Sequence, residues 1–302
     1  MPDATRVACF GGLHVDATAM ALDTLRPATS NPVRTMTRTG GVATNVARVL
    51  ARLGESVVVC SAVGDDPAGT SLIDHLRAEG IDTAGVARLP DAATARYTAV
   101  VGPDGSLFVG LADAAVYDAL GDEWAVAAVR AAQSCDIWML DTNLPAGVLA
   151  AIIAAAGDRT VAADPVSVPK AGRLDGVLGS LSVVFPDGAE LQALTGSSDP
   201  SAGATALHAR GPTVVASLGA DGLVVAGGDG VERRPALPVE RVADETGAGD
   251  ALVGGYLHGV IAGDDDPVLW GLAAAALAVS QEGSVPPGIT RSAVGEMVAA
   301  TR

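Results

Sequence analysis

The stretch Asp244-Glu245-Thr246-Gly247-Ala248-Gly249-Asp250 opens directly onto Ala251-Leu252-Val253-Gly254-Gly255-Tyr256-Leu257-His258-Gly259-Val260-Ile261. Apolar pairs at 252/253, 256/257 and 260/261 recur at helical spacing, which predicts a helix whose first turn is rich in glycine. A helix N-terminus offers unpaired N–H groups and the positive end of the macrodipole, and small residues at Gly247, Ala248 and Gly249 let an anion reach the backbone. Phosphate suits that place. The carboxylate of Asp250 would repel a static phosphate, but it has a use if it takes a proton from a hydroxyl attacking that phosphate. A plain helix N-cap is the competing reading of the same aspartate, and the full seven-residue string is far more specific than G-x-G-D alone.

With 302 residues and 49% hydrophobic content, the chain supports one large α/β domain with a small accessory piece. Its 35 acidic and 19 basic residues give a net charge of -16, and nine residues are aromatic, which argues against a phosphate-backbone footprint or a base-stacking platform for nucleic acid. Cys9, Cys60 and Cys135 sit in apolar segments without C-x-x-C spacing, the usage of core cysteines in a reducing compartment. The N-terminus lacks a charged-then-apolar signal pattern, and the apolar run 273–279 is too short to span a bilayer. A cytoplasmic protein without a membrane partner is expected.

Arg6 to Phe10 reads as a buried strand ending at Gly11-Gly12, and Asp16 follows just past its carboxyl end, where open α/β sheets bind ligands; a solvated turn aspartate is the alternative. Residues 33 to 38 read as a strand entered through Ser30-Asn31-Pro32, and Thr94 to Val101 joins Leu107 to Val109 through Gly102-Pro103-Asp104-Gly105, a hairpin signal. These pieces interrupt a β-then-α rhythm, as a small β-sheet lid or a pair of surface hairpins would. Between them, Gly40-Gly41 precede a helix with Val42, Val46, Leu50 and Leu53 on one face, and Asn45 in its first turn can bridge hydroxyls. From Val57 onward strands and helices alternate through Val57–Ser61, 137–140, 160–163, 182–185, 213–217 and 222–225, predicting a doubly wound, mostly parallel sheet with helices on both faces. Three strand ends are polar: Asp141-Thr142-Asn143, Asp164-Pro165-Val166-Ser167 and Pro186-Asp187-Gly188-Ala189-Glu190. No Gly-Lys pair occurs, which excludes a P-loop, and Leu252 stands where a dinucleotide fingerprint needs its third glycine.

The string at 244–250 resembles the C-terminal signature of the ribokinase-like (PfkB-type) carbohydrate and nucleoside kinases, and Gly40-Gly41 with Asn45 resembles their N-terminal one. The resemblance spans nearly the whole chain and implies a single ribokinase-like domain over 1–302 with a lid from insertions at about 15–38 and 94–111. It implies an ATP-dependent kinase in which Asp250 is the catalytic base and Gly247, Ala248 and Gly249 form the anion hole. Asp16, Gly40, Gly41 and Asn45 would contact the sugar; His14 is as readily structural as a ligand. Asp187 and Glu190 match an N-x-x-E motif that organises Mg²⁺ and phosphate, although Asp187 replaces the asparagine and an N-cap with Glu190 as its capping-box partner competes. Ser217, Gly219 and Gly222 resemble the loop beside the nucleotide, with Thr246 and Gly249 at its phosphates. Asp244 and Thr246, with the carbonyls of 279–284, correspond to a monovalent cation (K⁺) site of some relatives; Glu245 departs from the pattern. The family often pairs its lids into a homodimer. Beyond the shared motifs, Ser30-Asn31-Pro32, Asp141-Thr142-Asn143 and Asp164 to Lys170 resemble the pseudouridine kinase branch, more than ribokinase or other sugar kinases. In that reading Ser30 or Asn31 accepts from the free ring N–H of the base, and Asn143 and Lys170 read its carbonyls, with Lys170 as a surface lysine the alternative. A non-catalytic nucleoside-binding regulatory protein on the same scaffold is the reading from another class.

Overall fold

The computed structural model describes residues 6–302. Alternate residues of its first strand, β1 (Arg6–Phe10), enter two different cores, Val7 and Cys9 on one face and Ala8 and Phe10 on the other. A strand buried on both faces has no polar side to present, which is why it reads as a continuous apolar run. The remaining strands in chain order are β2 (His14–Ala21), β3 (Val33–Gly40), β4 (Ser56–Gly64), β5 (Asp82–Leu89), β6 (Arg96–Val101), β7 (Leu107–Asp113), β8 (Ile137–Asp141), β9 (Thr160–Asp164), β10 (Val183–Val184), β11 (Thr213–Ser217), β12 (Leu223–Gly227) and β13 (Gly230–Arg234). Nine of them form one sheet in the order β13-β12-β11-β10-β9-β8-β1-β4-β5, parallel except for β12 and β13 at one edge. The chain runs from β1 outward to β4 and β5, then returns to β8 on the other side of β1. That reversal opens a crevice at the carboxyl ends of β1 and β8, the place where doubly wound sheets bind ligands.

The other four strands form a separate sheet, β3-β2-β6-β7. Asp16, expected just past the carboxyl end of β1, lies on β2, paired with Arg38 of β3 and Tyr97 of β6, so the alternative of a solvated turn aspartate does not hold. The turn is confined to residues 11–13, and the chain enters the small sheet at His14. The sequence reading also passed over β5 and the helices Asp122–Ala131, Pro200–His208, Pro267–Val279 and Arg291–Thr301. Pro267–Val279 is alanine-rich and largely buried, so no polar face marks a 3.6-residue period. It packs on the glycine-rich helix Ala248–Ile261, where a Cβ at Gly255 would lie 2.7 Å from the Cβ of Ala274.

One buried carboxylate organises the crevice. Asp141, at the end of β8, has no solvent exposure. Its Oδ2 accepts the N–H groups of Gly12 at 2.9 Å and Ala43 at 2.8 Å, and its Oδ1 accepts that of Asn143 at 2.8 Å. It therefore ties the turn after β1 to the first turn of the helix Val42–Arg52 and to its own following loop. A Cβ at Gly11 would collide with this carboxylate, and one at Gly41 (φ 108°) with the carbonyl of Gly12, so both close approaches require glycine. Hydrogen bonds to a charged acceptor are about twice as strong as neutral ones, and a buried donor left unpaired is expensive. Asp141→Asn, which removes the charge and turns an N–H₂ toward N–H donors, is expected to destabilise the protein by roughly 2–4 kcal/mol in urea unfolding; a midpoint unchanged from wild type would show the crevice to be held some other way.

Candidate active site

The two glycine pairs make the floor of the crevice. Asp16 reaches from β2 over Gly40, where a Cβ would collide with its carboxylate, and His14 Nε2 lies 3.2 Å from Asp16 Oδ1. On the other side, Asn143 sits over Gly12, whose added Cβ would be 2.7 Å from its Nδ2, and Lys170 Nζ donates to Asn143 Oδ1 at 2.6 Å. Burial lowers the Lys170 pKa, with Arg173 adding to the effect and the Asp141 and Asp118 carboxylates opposing it. Asn45, in the first turn of Val42–Arg52, donates from Nδ2 to Asp250 Oδ2 at 2.8 Å. Asn45 Oδ1 and Asn143 Nδ2 are buried without a hydrogen-bond partner among the described residues, so each has one bond left for a ligand. His14, Asp16, Gly40, Gly41, Asn45, Asn143, Lys170 and Asp250 thus form one continuous surface.

Asp250 is not a helix cap. The helix starts at Ala248, its N-cap is Gly247 in the left-handed conformation (φ 79°), and no side chain caps it. A Cβ at Gly247 would collide with the carbonyl of Ser284, whereas Gly249 has open space around it. The N–H of Ala248 donates to the carbonyl of Glu245 at 3.3 Å, whereas those of Gly247, Gly249 and Asp250 have no hydrogen-bond partner among the described residues. Burial pushes the Asp250 pKa up to about 7, reinforced by the Asp141 and Asp16 carboxylates and opposed by the Asn45 hydrogen bond and His14.

Toward the far side of the sheet, a cavity of about 170 Å³ is lined by Asp164, Asp187, Glu190, Ser217, Gly249 and Asp250 among apolar side chains. The capping-box reading of Asp187 and Glu190 holds: Asp187 Oδ1 accepts from Glu190 N at 2.7 Å and Glu190 Oε2 from Asp187 N at 2.8 Å. One oxygen of each stays free of that box. Glu190 is 5% exposed, and burial raises its pKa to about 7. Asp164 went unassigned in the sequence reading beyond its place at a strand end. Burial, then the charges of Glu190 and Asp250, push its pKa well up, and its Oδ1 accepts from Val166 N at 2.7 Å. Val166 has φ 63°, a left-handed conformation that a β-branched side chain rarely adopts and that nothing in the local sequence announces. Among the described residues no three His, Cys, Asp or Glu side chains converge closely enough to bind a metal by themselves. Ser217 leads into the turn Gly219–Asp221; Gly219 is open to solvent, but a Cβ at Gly222 would collide with the carbonyl of Arg234, so packing against β13 is enough to require that glycine.

Two expectations are corrected. Asn31 spends its amide inside its own loop, accepting from Arg26 N at 2.8 Å and donating to the carbonyls of Arg26 at 2.9 Å and Thr29 at 3.1 Å. Ser30 and Asn31 lie beyond the Ala21–Val33 rung, five residues along β2 from Asp16, which is roughly 17 Å at strand rise. Within this chain they do not reach a ligand held by Asp16 and Asn45. Asp244 and Thr246 do not form an open cation site either. Asp244 Oδ1 accepts Thr246 N at 3.0 Å, and its Oδ2 accepts Gly283 N at 3.0 Å and lies 3.7 Å from Arg38 Nη1.

Sequence and fold together match a known family. Residues 4–290 fit the model of the pfkB family of carbohydrate kinases. The chain belongs to that family. It is similar to the pseudouridine kinase of Escherichia coli (28% identity over 255 residues, 82% of each chain) and to the 1-phosphofructokinase of Haloferax volcanii (33% over 263 residues, 83% of this chain and 82% of that one). A solved carbohydrate kinase from Agrobacterium tumefaciens superimposes with a TM-score of 0.85 at 30% identity, covering 98% of this chain and 97% of that one. The protein is an ATP-dependent kinase of the pfkB family acting on a small sugar or nucleoside. No helix among its described residues is long and apolar enough to cross a membrane.

Were Asp250 the group that accepts the proton of the attacking hydroxyl, its deprotonated form would be the active one. Its pKa lies above the ordinary carboxylate range, so the active form is lost as pH falls through about 7. kcat/KM should therefore rise with pH up to an apparent pKa near 7. Glu190 titrates in the same range, so the assignment needs both variants. Asp250→Asn should lower kcat by roughly 10²–10⁴-fold and abolish the acid limb, whereas Glu190→Gln should keep that limb. A limb that vanishes with Glu190→Gln and survives in Asp250→Asn would reverse the roles.

Proposed function

We propose that this kinase transfers the γ-phosphoryl group of ATP to the 5′-hydroxyl of a nucleoside, with pseudouridine as acceptor. The observation that carries the reading is the Asn143–Lys170 pair, seated on Gly12 at the end of the crevice away from Asp250. A plain sugar is served by Asp16, Gly40, Gly41 and Asn45; an amide with a free N–H and an ammonium beyond them suit the carbonyls of a nucleobase. The similarity to the E. coli pseudouridine kinase supports the same reading. A phosphorylated sugar, the natural alternative given the similarity to 1-phosphofructokinase, needs cations for its own phosphate. Arg173, beside Lys170, already donates to the carbonyls of Thr142, Asn143 and Leu144.

In this mechanism Asp16 and Asn45 orient the ribose, Asn45 also holding the Asp250 carboxylate toward the attacking hydroxyl. Asp250 removes the proton as the oxygen attacks, and the amides of 247–250 receive the charge on the transferring phosphoryl group. The free oxygens of Asp187 and Glu190, hard donors on one cavity with Asp164, would hold a hydrated Mg²⁺ that neutralises the phosphates. Ser217 and Gly219 border the nucleotide, and the small sheet closes over the acceptor to exclude water.

An ADP-release panel of pseudouridine, uridine, cytidine, adenosine, ribose and fructose 1-phosphate at matched concentrations tests the acceptor. Pseudouridine is expected to lead. If ribose, adenosine or fructose 1-phosphate outpaces it by about tenfold or more, the acceptor is misassigned and the kinase stands; if none is phosphorylated, the regulatory nucleoside-binding reading takes over.

The small sheet also supports a homodimer. Met20, Met36 and Tyr97 on the Asp16 face, and Val33, Val109 and Leu111 on the other, are 38–56% exposed, and Phe108 of β7 is 63% exposed, a set of large apolar side chains that a partner surface would cover. A second copy of the sheet is the occupant the family resemblance implies. Sedimentation equilibrium should give a dimer that Phe108→Asp with Leu111→Asp dissociates; a monomeric wild type would end the idea.

A further inference from the structure

Asp244 opens the string that ends at Asp250, and it is the point where the small sheet touches that string. In the β2–β3 register Arg38 lies directly opposite Asp16, so both side chains leave the same face of the sheet. Arg38 crosses to the main body, where Nη1 stands 3.7 Å from Asp244 Oδ2 and over Gly283, whose added Cβ would be 3.5 Å away. Among the described residues no other ion pair joins the small sheet to the rest of the chain.

The donor set does not fit the monovalent cation that the resemblance implies. Such an ion needs several oxygens turned to one point with no competing positive charge beside them, and Arg38 Nη1 already stands 3.7 Å from Asp244 Oδ2. Both Asp244 oxygens accept backbone N–H groups, Val279 O accepts Ala243 N at 2.7 Å, and Ser284 O is pressed against Gly247. Electrostatically the place is already served. Burial works against the charge on Asp244, yet the hydrogen bonds of Thr246 and Gly283 together with the Arg38 guanidinium hold its pKa below the ordinary value. The need for a positive charge is plain: Asp244 is three residues before Gly247, and an uncompensated carboxylate there would repel incoming phosphates.

We propose that Arg38 takes the place of a monovalent cation in this kinase, supplying from the small sheet the charge that keeps Asp244, and through it the loop leading into residues 247–250, ready for phosphate. The proposal rests on residues 247–250 being the anion hole. A cation from solution would act independently of the small sheet, whereas a guanidinium carried on β3 links nucleotide affinity to the seating of that sheet, in both directions. Arg38 is a positioning residue, acting through Asp244.

The test is calorimetric binding of the non-hydrolysable ATP analogue AMP-PNP, with Mg²⁺, in potassium chloride and in choline chloride at equal ionic strength, which needs no acceptor. Wild-type affinity should agree within about twofold between the two salts, Arg38→Met should bind about fivefold or more weakly in choline chloride, and Arg38→Lys, which keeps the charge, should stay near wild type. Wild type weakening about fivefold in choline chloride would overturn the proposal, as would Arg38→Met binding like wild type or Arg38→Lys binding like Arg38→Met. Ala248→Asp places a carboxylate in the anion hole itself; if that variant still binds AMP-PNP as wild type does, the anion-hole reading fails whatever Arg38 does.

Discussion

A single buried carboxylate holds together three segments that would otherwise have no reason to meet. Asp141 accepts N–H groups from the turn after β1, from the first turn of Val42–Arg52 and from its own loop. Those segments carry the glycine floor, Asn45 and Asn143. Backbone can pack this closely only where there is no Cβ, so the Asp141 bonds and the glycines at 11 and 41 are two halves of one constraint. Everything that faces the acceptor is positioned relative to that floor, Asp16 from above through Gly40 and Asp250 from the side through Asn45.

The crevice carries an excess of negative charge. Asp16, Asp141, Asp164, Glu190 and Asp250 share the crevice and its adjoining cavity, and their burial and mutual repulsion push Asp164, Glu190 and Asp250 toward the neutral form. Beside these carboxylates stand the backbone amides of Gly247, Gly249 and Asp250, which have no hydrogen-bond partner among the described residues. A carboxyl group with a pKa near 7, as burial gives Asp250, can accept a proton and still be ionised in part near neutrality. The acidic crowding thus adds to burial in setting the protonation of Asp250.

Much of this was legible in the order of residues. The glycine-rich helix start, the apolar β1, the face of Val42–Arg52 and the alternation of strands and helices follow from local periodicity and turn chemistry, which a short window contains. So does the string 244–250, whose specificity rests on seven adjacent residues. The alanine-rich helix Pro267–Val279 escaped because burial on all sides leaves no amphipathic pattern, and β2 was not separated from β1 because a three-residue turn between two strands carries too little signal to locate the second.

What the tertiary structure alone decided are pairings between residues far apart in the chain. Arg38 with Asp244, Lys170 with Asn143 and Asp141 with Gly12 and Ala43 depend on sheet order and register, and no local pattern encodes which strand lies beside which. The same holds for Ser30 and Asn31, which strand length carries away from Asp16 and Asn45. The sequence by itself determined the family, the fold class and the reactive groups, because those are written in contiguous motifs. Their distances, their shifted protonation and their actual partners were decided by folding, because burial and proximity are properties of the packed chain and of no single segment of it.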